Sequence, residues 1–497
     1  PPPPLYTPSQ TTSALENPNW RDPGYLSRYR DPARHDALRG RPPAPGPSTS
    51  ARGLETSSRA SPPSPKPRSR SRENRLEMER LWSGGDFSPA VPTEKYSAQT
   101  TRPPHALLFP GSGSQYVGMG HFLRHEKSTQ AVWEEAEDAL AGFEEWRRGL
   151  KLHELEGEVG ELGRMLDATE KKREKETALR DVVFQGPQDE LTQSSNAQPA
   201  ILITSMAFLR ALERERGMPV ASTSSLILGH SSGEYTAAVA AGALSLKDGV
   251  RLTRLHGLLT HYALSLPSIG LSPDLDAPPA LRGQMSALVL NPGHSHAELT
   301  EVIRNIRASR PKARGSEGTV EVASFNSQTQ VVLAGSRDGI LRASEVLREL
   351  EIASRAADLP VSAPFHCNFM KPAASGMQAA LTSSSISIHT PSSPIVSSLD
   401  SSLITTPSSL ISNLVAQISL PVRWSNCLAS LSQQHGIKRL VFLGPGQALA
   451  NLARRDAKMM KEAKVGGGEG VETEVISVAT EKDMDALQER WEEEDGA

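Results

Sequence analysis

The chain predicts an α/β fold in two parts: a large subdomain with a mostly parallel sheet, and a ferredoxin-like small subdomain inserted into it. Three observations predict this. Short apolar runs end in glycine-rich turns and give way to helical patterns, as in "HALLFPG" and in "SSLILGH" running into "GEYTAAVAAGAL". Such alternation buries a parallel sheet between helices on both faces. The text from Gln284 to Asp358 orders as strand, helix, strand, strand, helix, the order of a split ferredoxin-like unit. Finally, Gly229-x-Ser231-x-Gly233 stands between a strand and a helix. That is the spacing of a nucleophile elbow, and it makes the large subdomain α/β-hydrolase-like.

Composition limits how much of the chain can join these sheets. Of 497 residues 37% are hydrophobic, and there are 38 Gly and 38 Pro. This apolar share is too low for a chain that is ordered throughout. Residues 1–104, with "PPPPLYTPSQ" and "SSRASPPSPKPRSRSR", carry the deficit and are expected to be a disordered low-complexity segment. A net charge of -3 gives no field for nucleic acid or an anionic membrane. Cys367 and Cys427 are too few for a disulfide framework, so a reducing compartment is the simpler reading. No apolar run approaches the about 18 residues of a membrane span. Ile201–Leu209 and Ala237–Leu244 read as core segments.

The large subdomain is expected over 105–283 and 359–460, and the small one over 284–358. The first strand is "HALLFPG", a buried run closed by a tight turn. A charged helical stretch follows from about Trp133 to Asp181, with an insertion at about 144–181. Leu152, Leu155, Val159, Leu162 and Leu166 give it one apolar stripe. Gly157, Gly160 and Gly163 weaken that helix by up to about 1 kcal/mol each, and a solvated charged arm is the competing reading. A buried helix is predicted over Gln198–Arg216 with Pro199 in its first turn. Two helices follow the elbow, then a Pro-rich loop. Within the small unit "QMSALVL" and "TVEVASFNSQTQVVLAGS" are strands, while "HAELTEVIRNIR" and "ILRASEVLRELEI" are helices. Thr382–Thr406 is Ser-rich, and "KRLVFLGPGQALANLARR" is a last strand, turn and helix. Residues 461–497 form a C-terminal segment whose acidic tail, from Glu481, is expected to fray.

The serine turn carries the chemistry. A serine between strand and helix needs a turn so sharp that flanking side chains would clash, and glycines two residues either side remove the clash. The helix start then presents free backbone N–H groups where an oxyanion would form. The same five residues also suit an ordinary helix cap. A nucleophilic serine needs a base. Of 13 histidines, His366 stands out, in "LPVSAPFHCNFM" beside a proline-stiffened turn. A satisfied core histidine would look the same, so on these residues alone both readings stay open.

Taken together, the segments resemble the malonyl-CoA:acyl-carrier-protein transacylase family, which also supplies the acyltransferase domains of fatty acid and polyketide synthases. "FPGSGSQYVGMG" is similar to its opening loop, "NAQPAILITSMAFLRAL" to its helix before the elbow, and "GHSSGEYTAAVAAGALSLKDGVRL" to the elbow and its helices. "FNSQTQVVLAGS", "PVSAPFHCNFMKPA", "QISLPVRW" and "FLGPGQALANLARR" follow in the family's order, so the likeness covers roughly 105–455. It implies Ser231 as nucleophile and His366 as base in a two-step acyl transfer from CoA to the phosphopantetheine of an acyl carrier protein. It places the oxyanion donors at the backbone N–H groups of Ser112 and Ser232, and the carbonyl that orients the histidine at Gln417. Gln115, Asn326, His256 and Arg254 fall at acyl- or substrate-binding positions.

His256 is a departure: malonyl-specific members of the family carry an Arg there, a bidentate fork for the malonyl carboxylate. Histidine is only partly charged near neutrality, so another acyl group such as acetyl stays open. Arg254, on another face of the same helix, is the alternative cation. The resemblance implies no metal and no cofactor. It implies acyl-CoA, with malonyl-CoA first, and an acyl carrier protein as partners, with no nucleic acid, no membrane and a monomer. The residues contain no recognisable synthase, reductase or carrier segment. With the Arg-, Ser- and Pro-rich front, this suggests a stand-alone enzyme of the fungal mitochondrial type, in the mitochondrial matrix or alternatively in the cytoplasm. A serine esterase or thioesterase with the same elbow, or a non-catalytic relative, are the alternatives.

Overall fold

The computed structural model of the chain describes residues 103–170, 177–272, 282–309, 318–463 and 473–495. The low-complexity expectation for 1–104 therefore lies outside the described residues apart from its last two. The first half contains β1 (His105–Phe109), α1 (Lys127–Ala141), α2 (Phe143–Gly149), α3 (Gly157–Glu170), α4 (Ser194–Arg210), β2 (Leu226–Gly229), α5 (Gly233–Ala240) and α6 (Leu246–Ala263). Next come β3 (Gly283–Leu290), α7 (His296–Ala308), β4 (Val320–Phe325), β5 (Gln330–Ser336), α8 (Arg337–Glu349) and β6 (Ala353–Asp358). The remainder contains α9 (Lys371–Leu381), β7 (Ile395–Val396), β8 (Leu403–Ile404), α10 (Pro407–Ala416), α11 (Trp424–Gln433), β9 (Arg439–Leu443), α12 (Ala448–Ala463), β10 (Glu474–Val478) and α13 (Glu481–Asp495).

Two sheets form. The larger has the order β10-β9-β1-β2-β7-β8, parallel throughout except for the β7–β8 pair. Its central strands read "HALLF", "LILG" and "RLVFL" and are buried along their whole length. A parallel sheet covered on both faces demands such unbroken apolar runs. Alternate residues serve opposite cores: Leu107 and Phe109 pack with Leu202 and Phe208 of α4, while Ala106 and Leu108 pack with Trp424 and Leu431 of α11. The smaller sheet is antiparallel in the order β4-β5-β3-β6, with a core of its own built on Leu288, Val331, Leu333, Ile306 and Leu347. That strand order, with α7 and α8 as crossovers, is ferredoxin-like.

Phe109 of β1 lies in register with Gly229 of β2, so the Gly111 loop and the serine turn leave the same carboxyl edge of the sheet. Ligand sites of open α/β sheets collect at this edge.

Three expectations need correction, and one stretch holds strands for which the sequence sets no expectation. The helix predicted from Gln198 begins at Ser194, so Pro199 lies inside it and not in its first turn. Proline has no N–H for the Ser195 carbonyl four residues back, and Nη1 of Arg254 donates to that carbonyl at 2.9 Å. Where it is described, the 144–181 stretch is neither one striped helix nor a solvated arm, because a turn at Leu152–Glu154 separates α2 from α3. Leu152, Leu162 and Leu166 join the main core while Leu155 is 43% exposed. Gly163 is there for contact: a Cβ would stand 2.3 Å from the His153 nitrogen. The Ser-rich Thr382–Thr406 stretch holds β7 and β8, two strands too short to read. The acidic tail does not fray. Residues 474–478 add β10 to the large sheet, and α13 buries Met484, Leu487 and Trp491. Their three- and four-residue spacing is an apolar stripe that the surrounding acids obscured.

Candidate active site

The turn after β2 places Ser231 at φ 56°, in the left-handed region. A non-glycine residue held there costs on the order of 1–2 kcal/mol, so the surroundings must enforce it. A Cβ on Gly229 would lie 2.1 Å from the Gly233 carbonyl carbon, and one on Gly233 would lie 2.7 Å from the Phe109 oxygen. Only glycine fits at either position. Backbone bonds then lock the turn: His230 N–H donates to Phe109 at 3.0 Å, and Gly233 N–H donates to His230 at 2.9 Å.

The Ser231 hydroxyl lies 2.7 Å from Nε2 of His366, and Nδ1 of His366 lies 2.7 Å from the Gln417 carbonyl. A carbonyl only accepts, so Nδ1 carries the proton and Nε2 is left as acceptor for the serine hydroxyl. His366 is itself at φ 60°, and its backbone N–H is tied to the Ile418 carbonyl at 3.2 Å. Burial pushes its pKa down to about 4; the bond to Gln417 works the other way, and nearby His230 adds to the fall. The ring is therefore neutral at physiological pH, with its lone pair aimed at the serine.

Facing the turn is the loop after β1. Its Ser112 N–H donates to Oγ of Ser232 at 3.1 Å, and the two hydroxyls are 3.3 Å apart. Gly113 N–H donates to the side-chain oxygen of Gln115 at 2.8 Å. Gln115 therefore shapes this loop.

The chain matches the "Acyl transferase domain" family over residues 106–265. It is 31% identical over 351 residues to the malonyl CoA-acyl carrier protein transacylase of Haemophilus influenzae, spanning 70% of this chain and 91% of that protein. The enzyme of the same name from Salmonella typhimurium is 30% identical over 352 residues, 70% of this chain and 92% of its own. The chain belongs to the malonyl-CoA:acyl-carrier-protein transacylase family. Among solved structures, the acyl-carrier-protein-S-malonyltransferase from Bartonella henselae aligns with TM-score 0.58 and 29% identity over 78% of this chain and 99% of its own. A type II PKS acyl-carrier protein in complex with its malonyl-transacylase aligns with TM-score 0.58, 26% identity and the same coverage.

The residues that the resemblance put at acyl- or substrate-binding positions behave unequally. His256 is 3% exposed, its ring centroid is 5.8 Å from that of Tyr235, and neither ring nitrogen has a hydrogen-bond partner. The Tyr235 hydroxyl is likewise buried and unpartnered. Burial first, then the field of His366, pushes His256 down to about 3. The partial charge expected from its ordinary titration is thus absent: His256 is neutral. Arg254, the alternative cation, bonds to the Ser195 carbonyl and the Asn196 side chain, where it serves the start of α4. Asn326 accepts from Nε2 of His230 at 2.9 Å and from the Ser324 hydroxyl, so it braces the residue before Ser231.

Two positioning carboxylates escaped the sequence. Glu234, fully buried, accepts from Ser398 N–H at 3.0 Å and from the Asn413 amide at 2.7 Å. Glu321 of the small sheet accepts from the backbone N–H of Asn368, two residues past His366, at 2.9 Å. The only signal for Glu234 was a lone carboxylate inside the small-residue run "GEYTAAVAAG". Among the described residues no group of three His, Cys, Asp or Glu could hold a metal ion, and no helix is long and apolar enough to cross a membrane.

Proposed function

We infer that the chain moves a malonyl group from CoA to the phosphopantetheine thiol of an acyl carrier protein, through an ester on Ser231. The observation that carries this is the Ser231–His366–Gln417 relay, two 2.7 Å bonds in series, in a member of this family. His366 Nε2 takes the hydroxyl proton as Oγ attacks the thioester carbon. The tetrahedral oxyanion lies against the N–H groups of Ser112 and Ser232. The C–S bond breaks, the imidazolium returns its proton to the CoA sulfur, and malonyl-serine remains. The carrier thiol then gives its proton to His366 and attacks the ester; the C–O bond breaks and the imidazolium returns the proton to Ser231 Oγ. The Gln417 carbonyl fixes the tautomer without a third acidic residue. The thioester is already activated, so the chemistry asks for no cofactor.

The acyl group's far end falls to His256. A neutral, buried imidazole beside Tyr235 and His366 receives a carboxylate only if a proton enters with it, because an unpaired buried charge costs several kcal/mol. We also propose that the enzyme acts as a monomer in the mitochondrial matrix, to be checked by its solution mass and by imaging a tagged chain.

The decisive experiment is an intact-mass measurement. Malonyl-CoA adds one malonyl group at Ser231, Ser231→Ala abolishes the adduct, and pantetheinylated acyl carrier protein removes it and becomes malonylated. An adduct on another residue, or one that only water discharges, would sink the reading.

A further inference from the structure

The side chain of Ser232 does something its position does not ask of it. Ser232 is the N-cap residue of α5, yet its hydroxyl makes no capping bond to that helix. A serine there ordinarily accepts from an amide of the first turn. Instead, Oγ accepts from Ser112 N–H across the site at 3.1 Å, with the Ser112 hydroxyl 3.3 Å away, in a position that is 3% exposed. Ser112 N–H is one of the two donors assigned above to the oxyanion. An oxygen 3.1 Å from that nitrogen stands in the shell where the tetrahedral oxygen must stand, since such donors act at about 2.7–3.1 Å. One linear N–H cannot serve both oxygens.

We propose that the Ser232 hydroxyl is an internal stand-in for the oxyanion, occupying the Ser112 amide up to and through substrate binding and rotating away only as the tetrahedral oxygen develops. The inference rests on the acyl-serine mechanism proposed above. The stand-in holds the Gly111–Gly113 loop against the serine turn, so the donor is in place before substrate arrives. The bond exists only in the ground state, and an interaction absent from the transition state slows the chemical step. Ser232 is thus a positioning residue whose hydroxyl trades some rate for a preformed loop.

The test is single-turnover acylation of the full chain at saturating malonyl-CoA, followed by intact mass, for the natural protein, Ser232→Ala and Ser232→Thr. Ser232→Ala is expected to raise the acylation rate constant about two- to tenfold, the worth of one ordinary hydrogen bond. Its malonyl-CoA dissociation constant stays put. Hydrolysis of its malonyl-serine without carrier protein, which passes through an oxyanion in the same place, rises in step. Ser232→Thr keeps a hydroxyl and acylates more slowly than Ser232→Ala. An Ala variant no faster than the natural protein, or a Thr variant as fast as Ala, overturns the proposal. Failure of the natural protein to form malonyl-serine would instead overturn the transferase reading on which it rests.

Discussion

At the scale of single residues, the site is two strained turns holding a neutral imidazole against a hydroxyl. His366→Ala removes the lone pair on Nε2, and acylation slows by something like 10²–10⁴, the usual range for a positioned general base. A folded variant acylating at the natural rate would leave His366 a packing residue only. Because burial holds His366 down to about 4, the base is already free at about pH 6, and acetyl transfer stays flat from there to about pH 8. Malonyl transfer does not. His256 is neutral, held near 3 by burial and by His366, so the incoming carboxylate must bring a proton from solution. The malonyl-CoA KM therefore climbs with pH across that range, by up to about tenfold per unit. His256→Arg supplies a fixed charge and flattens the climb. A malonyl-CoA KM that is level with pH in the natural protein would show that the carboxylate never meets His256.

Between elements, the serine turn and the base are joined through Glu234. It stands at the start of α5, three residues past Ser231, and its bond to Asn413 reaches α10, whose next residue Gln417 orients His366. Burial raises Glu234 to about 7 from its ordinary 4.5. The folded protein therefore keeps a proton that the unfolded chain releases, and stability is lost as pH rises through this window. Glu234→Gln is neutral at every pH, so its melting temperature lacks that decline. A parallel decline in the Gln variant would trace it to another group. Glu234→Ala leaves Ser398 N–H and the Asn413 amide unpaired, at about 1–3 kcal/mol each. The elbow itself was legible because Gly229 and Gly233 answer a steric demand that few other turns make. Gln417 was legible only through resemblance, since a backbone carbonyl leaves no mark on its own side chain. Glu234 was not legible, because one acid near a helix start ordinarily reads as a solvated group favoured by the dipole.

Across the whole molecule, the small subdomain is fastened to the site at separate points: Asn326 on His230, Glu321 on Asn368, and Phe325 N–H on the Val422 carbonyl at 2.8 Å. These links join residues nearly a hundred or fewer positions apart, and no local pattern announces them. Both sheets were legible as alternations of apolar runs and helices. The far edge of the large sheet was not, because β10 and α13 are written in acidic text. That edge offers a clean separation of stability from chemistry. Trp491 is 4% exposed and meets the His105 ring edge-on at 5.6 Å, while Arg439 of β9 binds Glu474 at 2.7 Å and Glu494 at 2.5 Å. His105 begins β1, and the Gly111 loop leaves its other end. At about 3.3 Å per strand residue, more than 10 Å of strand separates His105, which the tryptophan touches, from that loop. Trp491→Ala opens a cavity and should cost about 3–5 kcal/mol, a large share of the about 5–15 kcal/mol that holds a typical protein folded. The melting temperature should drop by several degrees or more. In the cold, where the variant stays folded, the malonyl-serine rate should match the natural protein, because no bond of the relay runs through this edge. An unshifted melting temperature would return the tail to a fraying end. A slowed acylation in the folded variant would mean that the β9–β10 edge sets the geometry of the serine turn after all.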